Sequence, residues 1–268
     1  MNRGLRPPLS LESSMLRPLF CLLFLLLNAP AHADEQRQLL FGHDDRQVVP
    51  THVAPWQSLA RIETVGDNLC SGALIAPHWV LSAGHCFLTP SLHLDPALRV
   101  TLAGSSRSYH PDRVYLSRAL GRGLQPDGEG FAITPAAGPL DVALVHLPEA
   151  ADLPALTLWQ GSSSALAERL AREPVAQAGY PVDHPDTLLA HRRCRVERLD
   201  KHGMLEHRCD TLAGDSGSPL LLQSAGGWQV VGVQSSAPEA AQRERADNLA
   251  VAIPVVAPLL FGWMDKHV

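Results

Sequence analysis

The 268-residue chain predicts an all-β fold, a sandwich or barrels. Short Val- and Leu-rich segments recur along it, and Gly, Pro and Asp turns separate them. Strands do not alternate with helical patterns, which sets βαβ units aside. Composition agrees with a folded body: 46% of residues are hydrophobic, 18% are charged and the net charge is -5. A mild negative charge with no Lys/Arg block argues against a nucleic-acid binder.

The first element stands apart from the fold. Leu19–Leu27 is the one conspicuous apolar stretch, far short of the ~20 residues that span a bilayer. A multi-pass membrane protein is therefore excluded, and no stable membrane anchor is expected. Arg17 flanks the stretch, and Asn28-Ala29-Pro30 then Ala31-His32-Ala33 close it. Basic flank, short apolar core and Ala-x-Ala boundary read as a secretory signal peptide over 1–33, against the alternative of a buried N-terminal helix. Met15 is an alternative start, because Met15–Ala33 is already a complete leader. Its style is bacterial, so the expected destination is the periplasm or the medium. Export removes Cys21 and leaves Cys70, Cys86, Cys194 and Cys209. Four cysteines allow three pairings. No Cys-x-x-Cys occurs, so an oxidising compartment and two disulfides explain them better than zinc does.

Strand-like segments follow in order: Ser58–Glu63, Ala73–Ala76, Val80–Ser82, Arg99–Ala103, Asp112–Leu116 and Asp141–Leu147. The second half adds Val175–Gly179, His191–Leu199, Met204–Cys209, Pro219–Leu222, Gln229–Gln234 and Leu249–Ile253. Two helical patches interrupt them, Ser163–Arg172 and Val255 to the C-terminus. The last carries Leu259, Leu260 and Trp263 at helical spacing and is expected to dock on the body. Gly121–Gly138, rich in Gly and Pro with little periodicity, reads as a surface loop. Asp183-His184-Pro185-Asp186 reads as a turn rather than a metal loop.

Three segments carry chemistry. Gly214-Asp215-Ser216-Gly217-Ser218-Pro219 sets a serine on a tight turn just before an apolar run. Small neighbours let the backbone bend and a substrate carbonyl approach, with the N–H groups of Gly214 and Ser216 available to a developing oxyanion. A bare serine needs a base beside it. The α/β-hydrolase elbow Gly-x-Ser-x-Gly does not fit, because position 218 is Ser. His85, one of thirteen histidines, lies between Gly84 and Cys86 after an apolar strand. A bridge from Cys70 to Cys86 would close a hairpin and hold the imidazole, as a general base requires. Asp141 opens the apolar strand Val142–Val145. An acid there is costly to bury unless it is paired, and the free imidazole nitrogen of His85 is the partner it would take.

The order His, Asp, Ser, with the sequence around each, resembles the chymotrypsin/trypsin-like serine peptidases from about Leu40 to about Phe261. Phe41–Arg46, Ala178-Gly179-Tyr180-Pro181 and Cys209-Asp210-Thr211 resemble the bacterial glutamyl endopeptidase-like branch. The resemblance implies two six-stranded antiparallel β-barrels with a C-terminal helix. The barrel at 34–150 would carry His85 and Asp141, and the barrel at 151–268 would carry Ser216. It implies the triad His85, Asp141 and Ser216, an oxyanion hole at Gly214 and Ser216, and neither metal nor cofactor. Cys194 and Cys209 are left for the second bridge, across a hairpin that turns at Lys201-His202-Gly203. Asp215 matches the acid that pairs with a new N-terminal amine in trypsin-type enzymes. No Ile-Val-Gly-Gly start is evident, and Arg46 is a guess at its partner.

Asp210, six residues before Ser216, matches the pocket-floor acid of trypsin-like enzymes. Gln234 stands where glutamyl-specific enzymes place a His, so acidic specificity is in doubt. Ala237 and Leu249 narrow the pocket against long basic side chains. Backbone at Ser235, Ser236 and Ala237 is expected to pair with substrate as an added strand. The expected function is an exported serine endopeptidase acting on protein or peptide substrates through an acyl-enzyme. The alternatives are a non-catalytic binding module on the same scaffold and an esterase-like acyl hydrolase. The preferred side chain and the oligomeric state are left open.

Overall fold

A computed structural model describes residues 37–127 and 130–266. The leader over 1–33 lies outside the described residues. Two curled antiparallel sheets make the body. The first runs β6 (Ser108–Tyr109), β5 (Ala97–Leu102), β2 (Leu59–Thr64), β3 (Leu69–Ala76), β4 (Trp79–Ser82), β10 (Ala143–His146), β7 (Arg113–Leu116). The second runs β1 (Gln47–Val48), β13 (Leu189–Cys194), β12 (Val175–Gly179), β16 (Pro219–Ser224), β17 (Gly227–Ser236), β18 (Asn248–Ala252), β15 (Met204–His207), β14 (Val196–Leu199). A two-residue strand, β11 (Thr157–Leu158), joins β17 in parallel. Among the described residues the first sheet has seven strands and the second nine, more than the six expected of each, with β1, β6 and β11 only two residues long. Although β1 lies early in the chain, it pairs with Leu189–Ala190 of the second sheet.

Apolar residues divide among three main cores. Ile62, Leu74, Val80, Phe87, Val100 and Val145 fill the first half. Leu166, Leu205, Leu220, Leu222 and Val231 fill the second. A third cluster joins the halves, with Leu59, Leu81 and Leu144 meeting Tyr180, Leu188, Val230 and Val233. Each fully buried Leu or Val contributes ~1.5–3 kcal/mol relative to exposure, so the joint between the halves is as apolar as either interior.

Two expectations change. Gly121–Gly138 is not an irregular loop: it holds the hairpin β8 (Leu124–Asp127) and β9 (Gly130–Ile133). Leu120 and Leu124 anchor it in a small cluster with Leu88 and Ala137. The C-terminal helix α2 (Ile253–Asp265), which follows α1 (Ser163–Leu170), lies against β17 and β18. It buries Ile253, Val256 and Leu260, whereas Leu259 and Trp263 are only half-buried. The helix starts two residues earlier than its spacing suggested, and Leu259 and Trp263 pack on the shared core from its margin.

Candidate active site

His85 begins a short 3-10 turn directly after β4, and the Cys70–Cys86 disulfide ties that turn to β3. Asp141 ends another 3-10 turn just before β10. Because β4 and β10 are paired neighbours, with Ala143 opposite Ser82, the two side chains meet across the sheet edge. The Asp141 carboxylate is fully buried and accepts three hydrogen bonds. The His85 N–H donates to Oδ1 at 2.7 Å, and His85 Nδ1 lies 2.8 Å from Oδ2. The Ser235 hydroxyl, from β17 of the second half, donates to Oδ2 at 2.6 Å.

These contacts set the charges. Burial disfavours the Asp141 carboxylate, but His85 and Ser235 outweigh it and hold the group below its ordinary pKa. Burial likewise disfavours a charged His85, yet the Asp141 charge and hydrogen bond leave it above its ordinary value. An ionised Asp141 accepts from Nδ1–H, so the neutral imidazole carries its lone pair on Nε2.

Ser216 sits on the turn between β15 and β16. Gly214 and Gly217 have φ of +92° and +82°, a conformation that L side chains rarely adopt. A Cβ would also lie 2.4 Å from the Tyr180 carbonyl at Gly214 and 2.2 Å from Ser82 Oγ at Gly217. The Ser216 carbonyl accepts from Ser71 N–H at 2.8 Å. Among the described residues, the N–H groups of Gly214 and Ser216 donate to no protein acceptor, while those of Asp215, Gly217 and Ser218 do. His85, Gly214 and Ser216 line one cleft of about 440 Å³, with Phe131 of the β8–β9 hairpin on its wall. No hydrogen bond joins the Ser216 hydroxyl to the imidazole among the described residues. Such contacts are often long before substrate binds.

The remaining site candidates lie outside that cleft. Asp210 is 1% exposed. Its Oδ2 accepts from Asp45 N–H at 2.8 Å and lies 3.2 Å from His191 Nδ1, so its carboxylate is engaged by neighbouring chain. Gln234 is buried and accepts at Oε1 from His207, 2.7 Å away, while its amide donates to the Ser236 carbonyl. Burial pushes His207 down to about 3, which keeps it neutral. Asp210, Gln234, Ser235, Ser236 and Ala237 do not line the 440 Å³ cleft. Ser235 was expected to offer backbone; its side chain reaches Asp141. Cys194 and Cys209 are bonded to each other.

Arg46 makes no hydrogen bond to Asp215, although its charge favours the Asp215 carboxylate through space. The Arg46 guanidinium binds Asp44 and Asp183, 2.8 and 2.7 Å away. Asp215 instead accepts the Leu212 N–H at 3.0 Å. Burial pushes its pKa up to about 7. Phe131 and Ser71 also take part in the site, though neither stands out in the sequence. Phe131 lay in a stretch without periodicity, and Ser71 carried no signal beyond its place next to Cys70.

Comparison with known proteins places this geometry among relatives. A family model described as Trypsin matches residues 45–258. Human "Serine protease 56" is 28% identical over 187 residues, which covers 64% of this chain and 30% of that protein. Mouse "Tryptase" is 28% identical over 213 residues, covering 71% of this chain and 77% of that protein. A solved structure of a Glu endopeptidase in complex with MPD superimposes with a TM-score of 0.67 at 20% identity, over 84% of this chain and 98% of that one.

Proposed function

The chain belongs to the trypsin family, and on that premise we propose that it is an exported serine endopeptidase in which Ser216, His85 and Asp141 act as a triad. The half built on the first sheet supplies the base and its acid, and the half built on the second supplies the nucleophile. The observation that carries the reading is the buried Asp141 carboxylate bonded to His85, in a cleft that His85 shares with Ser216.

His85 Nε2 takes the hydroxyl proton as Ser216 Oγ attacks the peptide carbonyl. The carbonyl oxygen becomes an oxyanion facing the N–H groups of Gly214 and Ser216. Collapse breaks the C–N bond, and His85 returns the proton to the leaving amine. The acyl-enzyme ester is then hydrolysed by water, with His85 again the base. Asp141 stays ionised and stabilises the imidazolium. Ser236 and Ala237, outside that cleft, would border the substrate side chain, whereas buried Asp210 and Gln234 are engaged by their neighbours; protein or peptide is the substrate class. Two disulfides fit an oxidising destination. No helix of the described residues is long and apolar enough to cross a membrane.

The test is labelling of the oxidised, leader-free protein by a fluorophosphonate, with casein turnover in parallel. Wild type should label and cleave, and Ser216→Ala should lose labelling and at least about 10⁴-fold of its turnover. A folded wild type that does neither refutes the assignment. Cleavage of esters but not of casein would assign an acyl hydrolase instead.

A further inference from the structure

Ser71 lies in β3, between the disulfide-bonded Cys70 and Gly72, and is fully buried. A buried hydroxyl costs stability unless it is paired, and this residue uses all four of its bonding capacities. Its N–H donates to the Ser216 carbonyl at 2.8 Å. Its carbonyl accepts from Ser82 Oγ at 2.7 Å. Its hydroxyl donates to the Gly214 carbonyl at 2.8 Å and accepts from Tyr180 N–H at 2.8 Å. Ser71 therefore grips two carbonyls of the nucleophile turn at once. Those carbonyls belong to Gly214 and Ser216, the two residues whose N–H groups lack a protein acceptor.

We propose that Ser71 is a positioning residue for the oxyanion hole, fixing the backbone at Gly214 and Ser216 so that their N–H groups are held ready for the substrate oxygen. Gly214 needs such a clamp. It has no side chain to anchor it, and glycine moves readily among backbone conformations. The clamp is itself rigid, because Ser82 and Tyr180 hold Ser71 from β4 and from the end of β12. It is also tightly fitted: a Cβ at Gly179 would lie 2.7 Å from Ser71 Oγ and 2.4 Å from Asp215 Oδ1. Preorganised donors avoid reorganisation during reaction, so loosening the turn slows chemistry more than binding.

The inference rests on the serine endopeptidase reading. The experiment compares wild type, Ser71→Ala and Ser71→Thr in kcat, KM and affinity for a peptide aldehyde, which forms an oxyanion-like hemiacetal on the nucleophile. Ser71→Ala should lower kcat about tenfold with KM nearly unchanged, and weaken the aldehyde by a similar factor. Ser71→Thr, which keeps the hydroxyl, should restore most of both. An unchanged kcat in Ser71→Ala, or a rise in KM alone, overturns the role. If Thr behaves like Ala while both melt normally, the hydroxyl is not the acting group and the role also falls. A wild type that neither labels nor turns over refutes the functional reading, and the positioning role of Ser71 falls with it.

Discussion

His85 is pulled in two directions: burial resists its protonation, and the Asp141 charge favours it. The second influence is stronger, so the imidazole stays protonated to higher pH than an isolated one. In the proposed mechanism the base must be neutral to accept the Ser216 proton. Activity should therefore rise with pH along a limb centred above the ordinary histidine value of ~6.5. A kcat/KM profile against pH measures that limb, and a midpoint well below 6.5 contradicts the pairing. His85 was legible because a lone histidine framed by Gly84, Cys86 and a strand is unusual. Asp141 was legible because an acid at the head of an apolar strand demands a partner. Ser71 and Ser235 were not legible as side chains that act, because a serine in a strand gives no sign of which carbonyl or carboxylate lies across the gap.

At the scale of elements, the hairpin β14–β15 carries the approach to the Ser216 turn. Its ends are joined by Cys194–Cys209, a bridge of sequence separation 15. Closing a loop of that length removes unfolded-chain entropy equivalent to about 3 kcal/mol. The double variant Cys194→Ala, Cys209→Ala should lose roughly that much in urea unfolding while keeping its strand content. A loss under about 0.5 kcal/mol would mean the sheet alone sets the hairpin. Most strands were readable from Val- and Leu-rich runs between turn residues, as in Gln229–Gln234. The β8–β9 hairpin was not, because its Gly- and Pro-rich strands lack clean alternation. Only the fit of Leu120 and Leu124 against Leu88 shows why the segment folds. The start of α2 was likewise misplaced, since Ile253 and Pro254 read equally well as the end of a strand.

Over the whole molecule, two buried groups link stability to pH with opposite signs. Asp215 titrates at about 7 in the fold and near ~3.9 when unfolded. Its contribution is complete below pH ~4 and is lost as pH rises through about 7. His207 titrates at about 3 in the fold and near ~6.5 when unfolded. Its contribution is complete above pH ~6.5 and is lost as pH falls toward about 3. Over the shared window the two slopes oppose each other. Asp215→Asn removes only the first. Its stability relative to wild type should therefore improve by a few kcal/mol between pH 4 and 8, as read from urea unfolding at both ends. A difference that does not change with pH would show that Asp215 is not a strained carboxylate.

The amino-acid sequence by itself determined the strand-rich class, the four cysteines beyond the expected leader, and the three residues proposed as a triad. Those are short-range properties: side-chain alternation, turn chemistry and the neighbours within one segment. Tertiary structure alone decided that Ser235 reaches Asp141, that Ser71 holds the nucleophile turn, that Asp210 is capped by Asp45, and that Asp215 has no hydrogen bond from Arg46. Each of these is a contact across many residues of chain, set when the two sheets pack around a shared apolar core. The packing fixes which polar groups are left to satisfy one another once water is gone.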